Sequence, residues 1–231
     1  MTPLLAKYEW ILFDADETLF HFDDFKGLQL MFANYGVDFT QKDYLEYQAI
    51  NRPLWVSYQN GEISAHDIHQ QRFTHWEKLL QVSSDILNKD FLTAMKSSCK
   101  PIDGAINLIN AIKNQTQLGI ITNGFTELQH SRLEQNGLET DFAFVVTSEQ
   151  VGVAKPNPAI FEHALDLMGN PERTRVLMVG DNLNSDIIGG INSGLDTCWL
   201  NNNNRTEATT ITPKYQVPSL AALERLLFDH P

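Results

Sequence analysis

Three carboxylic acids stand within four residues of the segment FDADETLF, at Asp14, Asp16 and Glu17. They come directly after the apolar run Trp10–Phe13, which has the pattern of a short buried strand. Carboxylates at this spacing repel one another, and the ionisation of each makes its neighbour harder to ionise. The sequence therefore predicts a cation beside this cluster.

Further polar residues follow two other apolar runs of the chain. Thr122, Asn123 and Gly124 close one run, and Asp181 and Asp186 come after another. If these runs are parallel strands, their carboxyl ends lie at one edge of the sheet, where open α/β folds bind ligands. We therefore expect these residues, which are far apart in the sequence, to be neighbours in space.

The predicted cluster is rich in oxygen ligands. Asp14, Asp16, Asp181 and Asp186 supply carboxylates, and no Cys or His adjoins them in the sequence. Hard ligands of this kind suit Mg²⁺, with Mn²⁺ as a substitute, rather than zinc or copper. Lys155 precedes a predicted helix and can reach the same edge, where it would supply a second positive charge. With these cations present, an anionic ligand can approach the carboxylates.

Phosphate is the anion that this arrangement favours. Thr122, Asn123 and Gly124 form a strand-to-helix turn, which offers a hydroxyl and backbone N–H groups to phosphate oxygens. Phosphoryl transfer needs an in-line nucleophile and neutralised charge on the equatorial oxygens. Asp14 is the expected nucleophile, through an aspartyl-phosphate, and Lys155 is expected to neutralise charge. Helix capping is the simpler alternative role for the polar residues.

The elements that must position these residues alternate along the chain. Short apolar runs predict parallel strands at Trp10–Phe13, Leu118–Thr122, Phe142–Thr147, Val176–Val179 and Thr197–Leu200. Helical patterns occupy Ala105–Ile112, Thr126–Gln135 and Ala159–Met168. Asn157 is the expected N-cap of the last helix, with Pro158 at its first position. This alternation predicts an α/β fold with a doubly wound, Rossmann-like parallel sheet.

The region from Phe22 to Ser98 breaks the alternation and predicts an inserted α-helical domain. It contains no comparable β-rich run and reads as several amphipathic helices. We therefore divide the chain into a catalytic core of residues 1–19 and 99–231 and a helical cap of residues 20–98. An insertion directly after the first strand is expected to lie over the ligand-binding edge of the sheet.

Two capping-box patterns open helices in this region, Thr40 with Asp43 and Ser64 with Asp67. The first helix is expected to run to a turn at residues 59–61. The second is expected to continue through apolar residues at helical spacing, which are Ile68, Phe73, Trp76, Leu79 and Leu80. Outside this region, the run Asn201–Asn204 predicts a solvated loop.

Composition narrows the classes of function. The chain has 231 residues, of which 42% are apolar, enough for one large domain or a domain with an insertion. A formal net charge of -12, from 17 basic and 29 acidic residues, argues against binding to a nucleic-acid polymer or an anionic membrane. A small-molecule phosphomonoester is the expected partner, and the sequence carries no signal of oligomeric state.

The location of the protein is also constrained. The first residues show neither a basic segment followed by an apolar stretch nor a run long enough to span a membrane. Cys99 and Cys198 are the only cysteines, and their separation suggests neither a disulfide framework nor a thiolate zinc site. We expect a cytoplasmic protein.

Four motifs in this order resemble the signature motifs of the haloacid dehalogenase (HAD) superfamily of phosphatases: Asp14-x-Asp16-x-Thr18, Thr122, Lys155-Pro156 and Gly180-Asp181-x-x-x-x-Asp186. The resemblance spans the chain, in the variant with a helical cap after the first motif. The segments FDADETLF, ITNGF and VGVAKPN are similar to the bacterial pyrimidine 5′-nucleotidase branch. The resemblance implies a Mg²⁺-dependent phosphomonoesterase acting on nucleoside 5′-monophosphates, with pyrimidine ones such as dUMP, dTMP and UMP expected.

The resemblance also implies roles for the motif residues. Asp14 would attack phosphorus and bind Mg²⁺. Asp16 would protonate the leaving oxygen and then deprotonate the attacking water, and its backbone carbonyl would be a further metal ligand. Thr122 and Lys155 would hold the phosphoryl oxygens, beside the turn formed with Asn123.

The remaining motif residues complete the implied metal site. Asp181 would ligate the metal, and Asp186 would support it directly or through water. Glu17 stands where the family commonly has a small residue, and the sequence assigns it no role.

Proteins with other functions can carry similar motifs. A phosphatase for sugar phosphates or another small metabolite would have the same core and differ in the cap. A dehalogenase does not need the leaving-group acid Asp16, and a mutase would return phosphate to its product. A receiver-like module, in which Asp14 is only a phosphorylation or ion site, is the non-enzymatic alternative.

Two groups of side chains in the helical region have both structural and functional interpretations. His66, His69 and His75 are ordinary helix histidines unless further ligands join them. Aromatic side chains are helix-packing residues by default, and one or two would stack on a nucleobase. The candidates for stacking are Phe22, Phe25, Tyr47, Trp55, Tyr58, Phe73 and Trp76.

Overall fold

Six strands form one parallel sheet in the computed structural model, which describes residues 2–202 and 210–229. They are β1 (Trp10–Phe13), β2 (Gln117–Thr122), β3 (Phe144–Thr147), β4 (Val176–Gly180), β5 (Asp196–Leu200) and β6 (Tyr215–Val217). Their order is β3-β2-β1-β4-β5-β6, and every neighbouring pair is parallel. This order, with a switch point between β1 and β4, is that of a doubly wound Rossmann-like sheet, so the predicted fold class is confirmed.

The strands differ from their predicted bounds mainly at the sheet's edges. The third strand begins at Phe144, two residues later than predicted. Phe142 lies before the strand and packs edge-on against Phe13, with 6.5 Å between the ring centroids. The edge strand β6 was not predicted, since three residues give too short a pattern to recognise. Of the predicted loop Asn201–Asn204, residues 203 and 204 lie outside the described residues.

Eleven α-helices lie in the described part of the chain. They are α1 (Asp24–Ala33), α2 (Gln41–Gln59), α3 (Ala65–Gln71), α4 (Thr74–Leu80), α5 (Ser84–Ser98), α6 (Ala105–Ile112), α7 (Thr126–Gln135), α8 (Ser148–Val151), α9 (Pro158–Leu167), α10 (Ile188–Asn192) and α11 (Leu220–Phe228). The predicted helices at α6, α7 and α9 are confirmed. The Asn157 side chain caps α9, with Pro158 in its first turn.

Helices pack on both faces of the sheet, which explains why β1 is apolar throughout. Its Ile11 and Phe13 belong to a buried cluster that includes residues of α6 and α11. Leu12 points to the opposite face and joins a second buried cluster with residues of α9. No helix in the described ranges is both long and apolar enough to cross a lipid bilayer.

Helices α1–α5, here called the helical layer, have an apolar core of their own. That core includes Phe32, Tyr47 and Phe73, and it continues onto Phe125 and Leu128 beside the sheet. The structure thus places the inserted helices against the sheet's carboxyl edge. The exact division into a core of 1–19 and 99–231 and a cap of 20–98 stays a prediction.

Both predicted capping boxes of the helical layer are confirmed, at Thr40 with Asp43 and at Ser64 with Asp67. The prediction of a single helix after Ser64 is wrong, because the helix is interrupted between α3 and α4. Arg72 at the break is buried and donates to the side-chain oxygen of Asn88. Apolar spacing alone does not reveal this polar anchor.

The two segments that join the sheet to the helical layer run side by side. Phe20 and Pro101 form an antiparallel bridge. The His21 N–H donates to the Lys100 carbonyl at 2.9 Å, and the Ile102 N–H donates to the Leu19 carbonyl at the same distance. These backbone hydrogen bonds join the outgoing and returning segments into one narrow ribbon.

Candidate active site

The polar residues predicted to converge do meet at the carboxyl ends of β1, β2 and β4. Phe13, the last residue of β1, pairs with Ile120 on one side and Val179 on the other. The next residue, Asp14, donates its N–H to the Val179 carbonyl at 2.9 Å. The sheet register therefore fixes the Asp14 backbone between the neighbouring strands.

Asp14 forms the centre of a buried charge cluster with Lys155. The Lys155 ammonium lies 2.6 Å from Asp14 Oδ1, 2.8 Å from Asp186 Oδ1 and 2.6 Å from the Ile121 carbonyl. All three ionisable groups are buried. Thr18 joins the cluster, because its hydroxyl donates to Asp14 Oδ2 at 3.4 Å and accepts from the Asp181 N–H at 3.1 Å.

Burial and charge act in opposite directions on this cluster. Burial raises the pKa of Asp14 well above its usual range, Lys155 lowers it, and the negative charge of Asp186 raises it again. Burial by itself lowers the pKa of Lys155, but Asp14 and Asp186 outweigh that effect and raise the pKa. Lys155 is therefore held in its charged form beside the expected nucleophile.

A group of three carboxylates has the spacing of a metal site. Ligand oxygens of Asp14, Asp181 and Asp186 all lie within 4.8 Å of one another. Asp186 is oriented by the Asn182 N–H at 3.0 Å and the Ser185 hydroxyl at 3.1 Å. This all-oxygen donor set fits Mg²⁺. The Asp16 side chain is not part of the group, so its predicted metal contact depends on its backbone carbonyl.

Gly180 makes room for this metal-binding carboxylate. A Cβ built at Gly180 would lie 2.3 Å from Asp186 Oδ2, far inside van der Waals contact. The end of β4 therefore accepts only glycine while Asp186 keeps its position. This requirement explains the Gly180-Asp181 motif in steric terms.

The turn after β2 is fixed to the segment that carries Lys155. The Asn123 amide donates to the Lys155 carbonyl at 3.0 Å, and its oxygen accepts from the Lys155 N–H at 2.8 Å. The buried Thr122 hydroxyl accepts from the Gly124 N–H at 3.0 Å. That N–H group, expected to face a phosphate, is thus engaged within the turn.

Asp16 has a partner that sequence reasoning missed. Arg132 on α7 is fully buried, and its Nη1 lies 2.5 Å from Asp16 Oδ1. The Arg132 guanidinium lies 5.6 Å from the ring centroids of both Phe20 and Phe22. Burial disfavours the charge of Arg132, but the Asp16 carboxylate outweighs burial and raises the arginine pKa. The ion pair with Arg132 thus fixes the position of the Asp16 side chain, the expected acid/base.

Glu17, which had no role in the sequence, shapes the exit from this loop. Its φ of 57° lies in the left-handed region, which is uncommon for a side chain other than glycine. Its N–H donates to the Phe20 carbonyl at 2.7 Å, and its Oε1 accepts from the Phe22 N–H at 2.6 Å. Glu17 therefore closes a tight loop that leads the chain into the helical layer.

A cavity of about 200 Å³ lies between the helical layer and the sheet edge. Its lining comes from both sides and consists of Asp16, Phe22, Asp24, Tyr47, Asn51, Trp55, Arg72, Phe91, Leu92, Asn123, Gly124, Phe125 and Leu128. Of the proposed stacking residues, Phe22, Tyr47 and Trp55 line this cavity. Phe91 and Phe125 also line it and were not among the candidates. A leaving group attached to a phosphate at Asp14 would extend past Asp16 into this space.

Among the residues described, His66, His69 and His75 do not belong to a group with metal-ligand spacing. In the described parts of the chain, the three aspartates are the one group of His, Cys, Asp and Glu residues with metal-ligand spacing. His66 and His75 are exposed. Burial lowers the pKa of His69 to about 4, with a smaller contribution from the charge of Arg72, so His69 is neutral at physiological pH.

Known proteins resemble this chain over most of its length. A family model described as haloacid dehalogenase-like hydrolase matches residues 8–194. The chain belongs to this hydrolase family. The resemblance stated from the four HAD motifs is thereby confirmed, and the helical layer inserted after β1 fits the variant of the HAD fold that was expected.

Individual HAD relatives match almost the whole chain. Pyrimidine 5′-nucleotidase YjjG of Escherichia coli K12 is 54% identical over 224 residues, which covers 97% of this chain and 100% of that protein. Pyrimidine 5′-nucleotidase PynA of Streptococcus pneumoniae is 32% identical, with 92% of each chain covered. The magnesium-bound structure of the Bacillus subtilis HAD-hydrolase YfnB is 29% identical, with a TM-score of 0.83 and coverage of 95% and 98%.

Proposed function

We propose that this HAD hydrolase is a Mg²⁺-dependent phosphomonoesterase that hydrolyses nucleoside 5′-monophosphates, with pyrimidine nucleotides as preferred substrates. One observation supports the reaction class above all. The buried Asp14 carboxylate lies 2.6 Å from the Lys155 ammonium, while Asp16, two residues on, lines the adjoining cavity. The proposed nucleophile is thus next to a fixed cation, and the proposed acid/base lies on the side where the leaving group would be, as phosphoryl transfer requires.

In the proposed first step, an Asp14 carboxylate oxygen bonds to phosphorus as the bond from phosphorus to the leaving oxygen breaks. Asp16 gives its proton to that oxygen, releasing the nucleoside. In the second step, Asp16 takes a proton from water, whose oxygen attacks phosphorus and frees phosphate and Asp14. Thr122, Asn123, Gly124 and Lys155 are the proposed contacts for the phosphoryl oxygens, and the Gly124 N–H would exchange its bond to the Thr122 hydroxyl for one to phosphate.

The carboxylates of Asp14, Asp181 and Asp186, with the Asp16 carbonyl, are the proposed Mg²⁺ ligands, and Mn²⁺ is a proposed substitute. When bound, the metal neutralises negative charge on the phosphoryl group and keeps the carboxylates ionised. The three-carboxylate spacing supports this assignment.

The nucleotide substrate is inferred from likeness to YjjG over nearly the full chain. The aromatic cavity beside Asp16 supports it, because nucleobases have apolar faces while sugars present hydroxyls on most sides. We propose that residues 20–98 act as a cap over the core of 1–19 and 99–231, so that cavity contacts select the leaving group and closure excludes water.

We propose a cytoplasmic location, supported by Cys99 and Cys198, which are both buried free thiols. The net charge of -12 supports a small-molecule partner over a nucleic-acid polymer or a membrane.

Release of inorganic phosphate tests the proposal. The substrates are dUMP, dTMP, UMP, glucose 6-phosphate and phosphoserine, each with Mg²⁺ and with excess chelator. We expect kcat/KM for the pyrimidine nucleotides to exceed that for the other esters by at least about tenfold. Hexose phosphates that matched the nucleotides would instead favour a sugar-phosphate phosphatase.

Asp14→Asn tests the nucleophile and is expected to abolish turnover. Asp103→Asn makes the same chemical change at an exposed residue in the turn before α6 and is expected to retain full activity. Undiminished phosphate release by Asp14→Asn would refute the aspartyl-phosphate mechanism.

A further inference from the structure

Asn51 on α2 carries a buried polar atom that the fold leaves unused. The residue is only 8% exposed, and its Oδ1 has no hydrogen-bond partner among residues 2–202 and 210–229. Buried side-chain oxygens in folded proteins nearly always have a partner, because an unpaired one loses its hydration without compensation. Asn51 also lines the cavity beside Asp16. A hydrogen-bond donor on a bound ligand would account for this acceptor.

The charged residues in the cavity wall indicate which other groups the ligand carries. The acidic ones, Asp16 and Asp24, are already engaged by Arg132 and by Tyr44 and Gln48. Arg72 is buried in the lining, where its guanidinium lies 4.8 Å from the Phe91 ring centroid and 5.1 Å from that of Phe125. Its Nε donates to Asn88 Oδ1 at 2.8 Å, its Nη2 donates to the same oxygen, and the Tyr47 side chain is a further hydrogen-bond partner, so its partners there are neutral. A guanidinium donates and never accepts hydrogen bonds. It therefore favours a ligand with carbonyl oxygens.

The size and walls of the cavity restrict the ligand's shape. Its volume of about 200 Å³ is below the roughly 300 Å³ at which most small-molecule sites begin. Phe22, Tyr47 and Trp55 supply aromatic surface on which a flat ring can stack. A single planar ring fits these limits better than the double ring of a purine.

We propose that Asn51 is the residue that reads the nucleobase, with its Oδ1 accepting the N3–H of uracil or thymine while Arg72 favours the ring carbonyls. A uracil-type ring is flat, has one N–H between two carbonyl groups and so matches both features. The inference rests on the proposed nucleotidase function, and it names the base contact which that function leaves open.

The test compares UMP, N3-methyl-UMP and ribose 5-phosphate as substrates. N3-methyl-UMP lacks the N–H donor, and ribose 5-phosphate lacks the base. Wild-type enzyme is expected to lose about tenfold in kcat/KM on N3-methyl-UMP, the effect of one neutral hydrogen bond. This comparison needs no variant, so it stands even if substitutions at Asn51 impair folding.

Asn51→Leu keeps the branching of the side chain and removes the acceptor together with the amide N–H donors. It is expected to lose about tenfold in kcat/KM on UMP, to stay within about twofold on ribose 5-phosphate, and to show no further loss on N3-methyl-UMP. The control Asn60→Leu makes the same change at the exposed C-terminal end of α2 and is expected to behave as wild type.

Three results would overturn the inference. Equal losses on UMP and ribose 5-phosphate in Asn51→Leu would make Asn51 a structural residue. Wild-type enzyme that hydrolysed N3-methyl-UMP as fast as UMP would exclude a contact to N3–H. Either result leaves the nucleotidase proposal intact, whereas wild-type enzyme inactive on every nucleotide overturns both.

Discussion

Lys155→Met removes the ammonium that Asp14 and Asp186 share, and leaves two carboxylates buried beside each other. Asp186 is 1% exposed and Asp14 is 7% exposed, so water cannot replace the lost contacts. Removing one partner of a buried ion pair costs about 3–5 kcal/mol. In a protein of this size, each kcal/mol lowers Tm by roughly 2–4 °C. We expect a drop in Tm of roughly 6–20 °C, together with loss of phosphatase activity.

The assays are thermal unfolding for Tm and urea unfolding for the free energy, both followed by circular dichroism in metal-free buffer. Lys113→Met serves as the matched control, because Lys113 pairs with Asp141 at 2.9 Å while its side chain is 31% exposed. A pair screened in this way contributes at most about 1 kcal/mol. The contrast between the two variants isolates the effect of burial.

The difference between wild type and Lys155→Met should also depend on pH. The pKa of Lys155 is raised in the folded state, so its stabilising charge is fully present below the ordinary lysine pKa. Burial already raises the pKa of Asp14, and without Lys155 this carboxylate takes up a proton more readily. The destabilisation should therefore be larger at about pH 8 than at about pH 5. A loss under about 1 kcal/mol at pH 8, or one that grew on acidification, would refute the reasoning.

Three further changes have distinct expected outcomes. Arg132→Met should lower kcat/KM at least about tenfold for nucleotides but much less for p-nitrophenyl phosphate, whose leaving group needs no proton from Asp16; equal losses would argue against this positioning role. Gly180→Ala should raise the Mg²⁺ concentration for half-maximal activity at least about tenfold, since its Cβ would displace Asp186; unchanged metal dependence would contradict the steric argument. Asp196→Asn should cost about 1–3 kcal/mol at pH 7 in urea unfolding. Burial opposes ionisation of Asp196, but hydrogen bonds from Lys7, Tyr8 and Lys214 lower its pKa, so the cost should vanish as pH falls below the ordinary aspartate range; a cost that persisted there would contradict it.

The positions of Asp14, Thr122 and Asp181 could be predicted because each lies at or just after the end of a strand that is apolar on both faces. A fully buried parallel strand leaves a short uninterrupted apolar run, and the first polar residue after it marks the sheet edge. Parallel topology then brings such residues together whatever their separation in sequence. Strand ends and the residues that follow them are therefore the part of this site that local pattern determines.

Arg132 and Glu17 could not be found in this way, for two different physical reasons. Arg132 lies in a helix with no local sign that its guanidinium is buried, and its contact with Asp16 arises only when the fold brings α7 to the loop after β1. Glu17 adopts a backbone conformation that its residue type disfavours, and its contact with the Phe22 N–H compensates. Asn51 was missed as well, because an orphaned acceptor is a property of packing rather than of sequence.

The ribbon formed by the two connecting segments limits how the helical layer can move. Two independent linkers would let the layer tilt in any direction, but these are joined at Phe20 and Pro101 and by the His21–Lys100 hydrogen bond. Because the helical layer is attached along the line of the ribbon, its rotation relative to the sheet is restricted mainly to one axis. Inserting a residue into only one segment would shift that axis, and would thus alter the mouth of the cavity without touching any residue that lines it.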